Sequence, residues 1–271
     1  MGNSEQLITA NERPVNLSEV LAADGYVRER TQPRIGDPVY LCLLDLREFV
    51  ARSAPRLKGA VVDYGCGGSP YRELFKHCSR YTRADMSGEA NIDILLDASG
   101  KIDEPTGSYE GVVSFQVLEH VKEPGEYLDE CFRLLADDGL LLLTTHGMFL
   151  EHKCPNDYYR WTSQGLEALV SAHGFTVIES VKLTTGMRGA FQLSHFVVED
   201  FIHRRGTFGG LLARIFRRVY RVTLMPALNF IGKQFLRREG MISGDKHANV
   251  YIGVGVLARK SQSSLARGRA G

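Results

Sequence analysis

No apolar run in this chain of 271 residues reaches the roughly 18 that a membrane-spanning helix needs, so no stretch reads as a helical span. The opening MGNSEQLITANERP lacks the basic start and apolar core of a secretion signal, and Gln6 stands where a myristoylation signal requires Ser or Thr. Charge of one sign is missing too. The formal balance of +1 gives no argument for nucleic acid or an acidic substrate. Cysteine is sparse: Cys42, Cys66, Cys78, Cys131 and Cys154 form no zinc spacing, and an odd number without a signal suits a reducing compartment. A cytoplasmic home is the expectation.

Two phosphate-binding patterns are incomplete as well. Gly65, Gly67 and Gly68 are followed by no Gly-Lys-Ser or Gly-Lys-Thr, which argues against a triphosphate loop, and the final glycine of a dinucleotide fingerprint is absent. What is present is a soluble composition, 44% hydrophobic and 24% charged, long enough for one domain with an insertion or for two domains.

The organising stretch is Ala60 to Phe75, AVVDYGCGGSPYRELF, in which apolar residues lead into an acid and a glycine cluster. This reads as a parallel strand turning into a helix, a place where backbone N–H groups meet an extended cofactor. A plain glycine turn is the alternative. Before it, residues 1–37 read as a flexible lead with one short helix near Leu17 to Ala23, and Tyr40 to Ala51 as an amphipathic helix. After it, strands are expected at Tyr81 to Ala84, Ile92 to Leu96, Gly111 to Phe115, Leu140 to Thr144 and Phe175 to Ser180, with a last one at Val250 to Ala258. Helices are expected at Tyr71 to His77, at Tyr127 to Leu135, stopped by Asp137, Asp138 and Gly139, and at Thr162 to His173. Apolar strands separated by helices predict a mostly parallel sheet covered on both faces.

Roughly 70 residues then separate the last two strands, a connection long enough to carry function. Within it Leu211, Leu212, Ile215, Phe216 and Val219 share one side of a helix whose other side carries Arg214, Arg217, Arg218 and Arg221, and no acid occurs from Phe201 through Arg238. Such a basic amphipathic segment covers a core, makes a homodimer, or lies on an anionic membrane surface at the inner face. Nucleic acid is not expected, since aromatic platforms and basic grooves are lacking. The final SQSSLARGRAG reads as a disordered tail.

Three acids close successive strands. Asp63 either orients the glycine turn or receives a polar cofactor group; Asp85, 22 residues on, suits both hydroxyls of a ribose; Asp97 suits an adenine amino group or caps a turn. With these residues in place, the chain resembles the class I S-adenosylmethionine-dependent methyltransferases. VVDYGCGGSPYRELF is similar to their first motif, YTRADMSG to the second strand with its ribose-binding acid, ILLDA to the third, and SFQVLEHV to the segment after the fourth. The resemblance implies a Rossmann-like α/β fold: a seven-stranded sheet with an antiparallel last strand, helices on both faces and a helical insertion before that strand. The corresponding divisions are a core over 38–181, the insertion over 182–248, the last strand over 249–260 and the tail over 261–271. It also implies S-adenosyl-L-methionine as cofactor, held by Asp63, Gly65, Cys66, Gly67, Asp85, Met86, Asp97 and Gln116. Ser69 departs from the pattern, standing where the usual loop often has its last glycine.

Methyl transfer requires an oriented acceptor, and a hydroxyl acceptor also requires a base. His146 is the first candidate, followed by His120 and Glu119. His152, Tyr158, Tyr159 and Arg160 are candidates for the acceptor pocket, with aromatic packing and an internal ion pair as the competing roles of Tyr158, Tyr159 and Arg160. The irregular spacing of His146, His152, Cys154 and Asp157 gives no metal signature, and no metal is expected. The expected activity is O-methylation of a small molecule or glycan, including a lipid-linked one. N- or C-methylation of a natural-product intermediate and a non-catalytic binding subunit are the alternatives.

Overall fold

The computed structural model describes residues 24–86, 92–97, 99–152, 156–204, 211–244 and 248–261, and of 24–26, 202–204 and 211–213 the backbone alone. The expected helix near Leu17 and the C-terminal tail from 262 on lie outside the described residues. Eight strands form one sheet: β1 (Ala60–Tyr64), β2 (Arg80–Asp85), β3 (Ile94–Leu95), β4 (Tyr109–Phe115), β5 (Leu135–His146), β6 (Phe175–Thr185), β7 (Met241–Ser243) and β8 (Tyr251–Lys260). Their order is β3-β2-β1-β4-β5-β8-β6-β7. The first five pair in parallel, β8 runs antiparallel between β5 and β6, and β7 adds an antiparallel edge to β6. The sheet therefore has one strand more than expected. Strand order reverses between β1 and β4, and ligands of such sheets bind beyond the carboxyl ends at that switch.

The alternation of strand side chains divides the core in two. Val61, Val113 and Leu142 face one side with Leu43, Leu46, Phe49 and Val50 of a helix we label α2 (Tyr40–Ser53), which follows α1 (Asp24–Thr31). Val62, Val112, Leu141 and Leu143 face the other, with Leu128 and Cys131 of α3 (Pro124–Leu134) and Leu166 and Val170 of α4 (Ser163–Ala172). Close approach of α2 to the sheet depends on Gly255, where a Cβ would sit 2.5 Å from the Phe49 ring. Thr162 caps α4 by accepting from the Gly165 N–H at 3.0 Å, as its position before the apolar run predicts.

Several expected boundaries differ, among them that of β6, which runs on to Thr185. Residues 137–139 do not stop α3, which ends at Leu134; they lie inside β5, where the register shifts and Asp138 takes φ 61. The stretch after the glycine turn is a short 3-10 turn, Arg72–Phe75, and β3 is only two residues long. The lead from residue 24 on is structured, not flexible. It forms α1 and is then gripped from far along the chain: Asn229 Nδ2 donates to the carbonyls of Ile35 at 2.8 Å and Asp37 at 3.2 Å, and Gln192 Nε2 donates to that of Pro38.

The insertion is helical. It comprises α5 (Gly186–Arg204), α6 (Leu211–Val219), a π turn (Tyr220–Leu224) and α7 (Met225–Phe235). Its interior is polar. Buried His195 places Nε2 3.1 Å from Asn229 Oδ1 and Nδ1 2.7 Å from the Tyr220 hydroxyl. Because the Asn229 amide nitrogen is committed to Ile35, its oxygen accepts from His195 Nε2–H, which makes Nδ1 the acceptor from Tyr220. Arg188, also buried, forms a two-pronged pair with Asp45 of α2 and donates to the Gly232 carbonyl at 2.5 Å, while Thr184 donates to Asp45 at 2.7 Å. No described helix is long and apolar enough to cross a membrane.

Candidate active site

The carboxyl edge of the sheet gathers the strand-end residues. Gly65 takes φ 78, and a Cβ there would lie 2.7 Å from Val117, so only glycine serves. The Gly65 and Cys66 N–H groups donate to the Ala84 carbonyl, at 2.9 and 3.1 Å. Ser69 is itself left-handed at φ 46 and is held by its hydroxyl donating to Asp63 at 3.1 Å. Tyr81 donates to the same carboxylate oxygen at 2.8 Å. Asp63 thus orients the loop. Burial pushes its carboxyl up to about 7 against the pull of those two donors. Burial also raises the Cys66 thiol well above its ordinary range.

Asp85 spans the gap between β2 and the loop. One oxygen accepts from Gly67 N–H and the other from Met86 N–H, both at 2.7 Å. Asp97 takes the turn-capping role: Oδ1 accepts from Ser99 N–H, the Ser99 hydroxyl and Lys101 N–H. These donors hold its carboxyl below the usual range, the Ser99 hydroxyl foremost.

Beside them stands a buried acid and histidine. Glu119 is fully enclosed in the turn after β4, and its Oε2 accepts from Thr145 at 2.7 Å. Its Oε1 lies 3.0 Å from Nε2 of His146, the last residue of β5, but off the line of the N–H, so this oxygen has no aligned donor. Burial pushes Glu119 up to about 7. Burial first, then the neighbouring His152, Arg160 and His120 charges, hold His146 well below 6.5, so it is neutral at physiological pH. The His146 ring stacks on Phe149 at 3.8 Å, and Phe149 in turn meets Phe196 of α5.

A family described as a methyltransferase domain matches residues 40–180, just over half the chain, including the carboxyl ends of β1 to β5. The chain belongs to that family. Its members are the class I S-adenosylmethionine-dependent methyltransferases expected from the motifs. A ubiquinone biosynthesis O-methyltransferase of Caulobacter sp. is 28% identical over 100 residues, covering 31% of this chain and 40% of that protein. A probable S-adenosylmethionine-dependent methyltransferase of Mycolicibacterium smegmatis is 30% identical over 129 residues, 43% of this chain and 49% of that one. The chain thus spans less than half the length of these relatives. The crystal structure of the [4+2]-cyclase SpnF superposes with a TM-score of 0.50 at 17% identity, over 82% of each chain, and shares the fold.

S-adenosylmethionine, the cofactor of this methyltransferase family, fits the residues present. Gln116 adopts φ 57 and spends its Nε2 on Thr144 at 3.1 Å, while its Oε1 is buried without a donor. That orphan acceptor, at the carboxyl edge that also carries Asp85 and the left-handed Gly67, is a built polar position for a cofactor donor.

The remaining residues divide by what already engages them. Arg160 is occupied: its guanidinium makes two 2.6 Å bonds to Asp157 and also donates to the Phe149, Leu150 and Tyr159 carbonyls. The internal ion pair is therefore its structural role. The Tyr159 hydroxyl donates to the Lys122 carbonyl at 3.0 Å, and its ring lies against Trp161. Tyr158 presents an exposed ring, and His152 sits edge-on to His146 at 5.0 Å. Ligand atoms of Glu119, His120 and His152 lie within 4.8 Å of one another, making this the group among the described residues able to hold a metal ion. Spacing did not reveal it, because it joins His120 to His152 across 32 positions; Cys154 lies outside the described residues. Sequence reading also missed Thr145, Phe149 and Phe196, none of which stands in a motif, and the bond from Tyr81 to Asp63, although Tyr81 opens the YTRADMSG stretch.

The Glu119 shift has a measurable sign. A carboxyl whose folded value lies above its ordinary 4.5 binds its proton more tightly in the fold, so its contribution is complete below about 4.5 and lost as pH rises through about 7. Glu119→Gln is therefore expected to exceed the parent in stability at pH 8, by on the order of 3 kcal/mol, with the gap closing by pH 4.5. Urea melts at both pH values check this, and a gap that is constant with pH would show that Glu119 ionises normally.

Proposed function

We propose that this chain transfers a methyl group from S-adenosylmethionine to a hydroxyl oxygen of a small molecule or glycan, lipid-linked acceptors included. The observation that carries the reading is the neutral, buried His146 with a carboxylate at Nε2, placed at the cofactor edge. A hydroxyl needs such a base, whereas an amine that is free at neutral pH needs only orientation. The name of the Caulobacter relative supports oxygen as the accepting atom.

Asp85 and Gln116 would hold the cofactor, which supplies an electrophilic methyl group when bound. Glu119, with Oε1 3.0 Å from Nε2, balances the charge His146 gains on taking the hydroxyl proton. Since Nε2 faces Glu119, Nδ1 is the nitrogen that receives that proton. Phe149 and Phe196 exclude water from the stacked face of the ring, and Tyr158 with His152 line the acceptor side.

The test is methyl transfer from labelled S-adenosylmethionine to a panel of hydroxyl, amine and carbon acceptors, with the methylated atom identified in the product. Transfer confined to nitrogen or carbon would overturn the proposal. In calorimetry Asp85→Ala is expected to weaken cofactor binding about tenfold to a hundredfold, since it removes charge-assisted hydrogen bonds to both loop and ligand. Unchanged affinity in a folded variant would remove Asp85 from the site.

A further inference from the structure

The insertion turns its apolar side outward. Ile215, Val219 and Val222 recur at i, i+4 and i+7 and are all exposed, Val222 at 67%. In α7 the inward positions are Met225, Asn229 and Gly232, while Phe230, Ile231 and Phe235, with Leu224 of the π turn, face solvent, Phe235 at 75%. This inverts the ordinary surface helix, which buries its apolar stripe against the core. The cause lies beneath: the inner side is spent on the His195, Tyr220 and Asn229 network and the Arg188 contact to Gly232, leaving the bulky apolar residues no core to enter. A contiguous apolar surface of this kind marks a contact site.

Charge selects the occupant. Arg214, Arg218, Lys233, Arg237 and Arg238 are exposed along the same segment, and the sequence has no acid from Phe201 through Arg238. Glu199, the acid facing this segment from α5, is paired with Arg221. A second copy laid on this face would press cation against cation, whereas anionic headgroups complement the arginines while acyl chains receive the apolar side chains. With no described helix able to cross a bilayer, the contact is peripheral.

We propose that the outward face of α6, the π turn and α7 docks on an anionic lipid surface. This surface is argued from the insertion alone and stands apart from the choice of acceptor. The α5 helix that leads into it also supplies Phe196 to the active-site wall, so docking brings the site to the membrane.

The experiment is sedimentation of the full chain with vesicles of phosphatidylcholine, and of phosphatidylcholine mixed with phosphatidylglycerol. Binding is expected with phosphatidylglycerol only, falling as salt is raised. Arg214→Glu with Arg218→Glu, and separately Val219→Glu with Ile231→Glu, are expected to lower vesicle affinity about tenfold or more, with circular dichroism and cofactor binding unchanged. Should the second pair fail to fold, the arginine pair carries the test, since both residues are exposed and neither supports the interior. Three outcomes would overturn the proposal: no affinity for phosphatidylglycerol, equal affinity for both vesicles, or full binding by the variants. A dimer in sedimentation velocity that Val219→Glu with Ile231→Glu dissolves, without vesicle binding, would likewise overturn it and assign the face to a second copy.

Discussion

Replacing His146 with alanine is expected to lower kcat by about 10²–10⁴-fold, the range lost with a general base, while the dissociation constant for S-adenosylmethionine stays unchanged. The ring is placed to act through its proton. It stands at the end of β5 with Glu119 at Nε2, and its burial against Phe149 keeps it neutral. Truncation also removes the Phe149 stack, so the size of the loss alone does not establish a proton role. The pH profile does. A base must be unprotonated, and a histidine depressed below 6.5 gives kcat/KM an acid limb below 6.5, distinct from the limb near 7 that Glu119 contributes and Glu119→Gln removes. Absence of the lower limb, or a His146→Ala variant that keeps full kcat, would remove His146 from the chemistry and leave positioning as the source of rate.

The largest stability effect is expected at Arg188. Arg188→Ala strands the Asp45 carboxylate in the interior and leaves the Gly232 carbonyl without its donor, a loss of about 3–5 kcal/mol for a buried pair broken from one side. Burial already pushes Asp45 up even with the guanidinium beside it. Without Arg188 its proton is held more tightly still. The variant's stability is then highest in acid, below the carboxyl's ordinary 3.8, and is lost as pH rises from there through the folded value, which the parent shows far less. The Asp45→Leu, Arg188→Met double variant is expected to recover much of the loss, because it removes both charges. Urea midpoints of the three variants decide the matter. A double variant as unstable as Arg188→Ala would show that shape, not charge, sets the cost.

Much of this architecture is legible from residue order because the central strands are buried on both faces and so read as unbroken apolar runs. Asp63 and Asp85 could be placed for the same reason: an acid ending such a run must emerge at the carboxyl edge. Failures occur where a competing local interaction wins. The Asp137, Asp138, Gly139 triplet has the chemistry of a helix stop, yet pairing of Leu135 with Tyr109 draws it into β5. The three residues of β7 are too few to show a period and exist because β6 offers an edge. At Asp97 two roles were open, and the structure shows the turn: Oδ1 accepts from Ser99 and Lys101. In the insertion the amphipathic pattern was plain and its orientation was not. Orientation depends on Asn229 and His195, which make the interior polar, and no periodicity of apolar residues reports that.

The grip of Asn229 on the carbonyls of Ile35 and Asp37 joins residues 194 and 192 positions apart. During synthesis the N-terminal segment leaves the ribosome long before the residue that fastens it. At about 5–20 residues per second, roughly 10–40 s pass before Asn229 is made. For most of that interval α2 carries Asp45 without Arg188, and its apolar face waits for strands made only as the chain lengthens toward Thr185. Nascent chains cut short before residue 188 should accordingly be captured by chaperones far more readily than chains extended past residue 260.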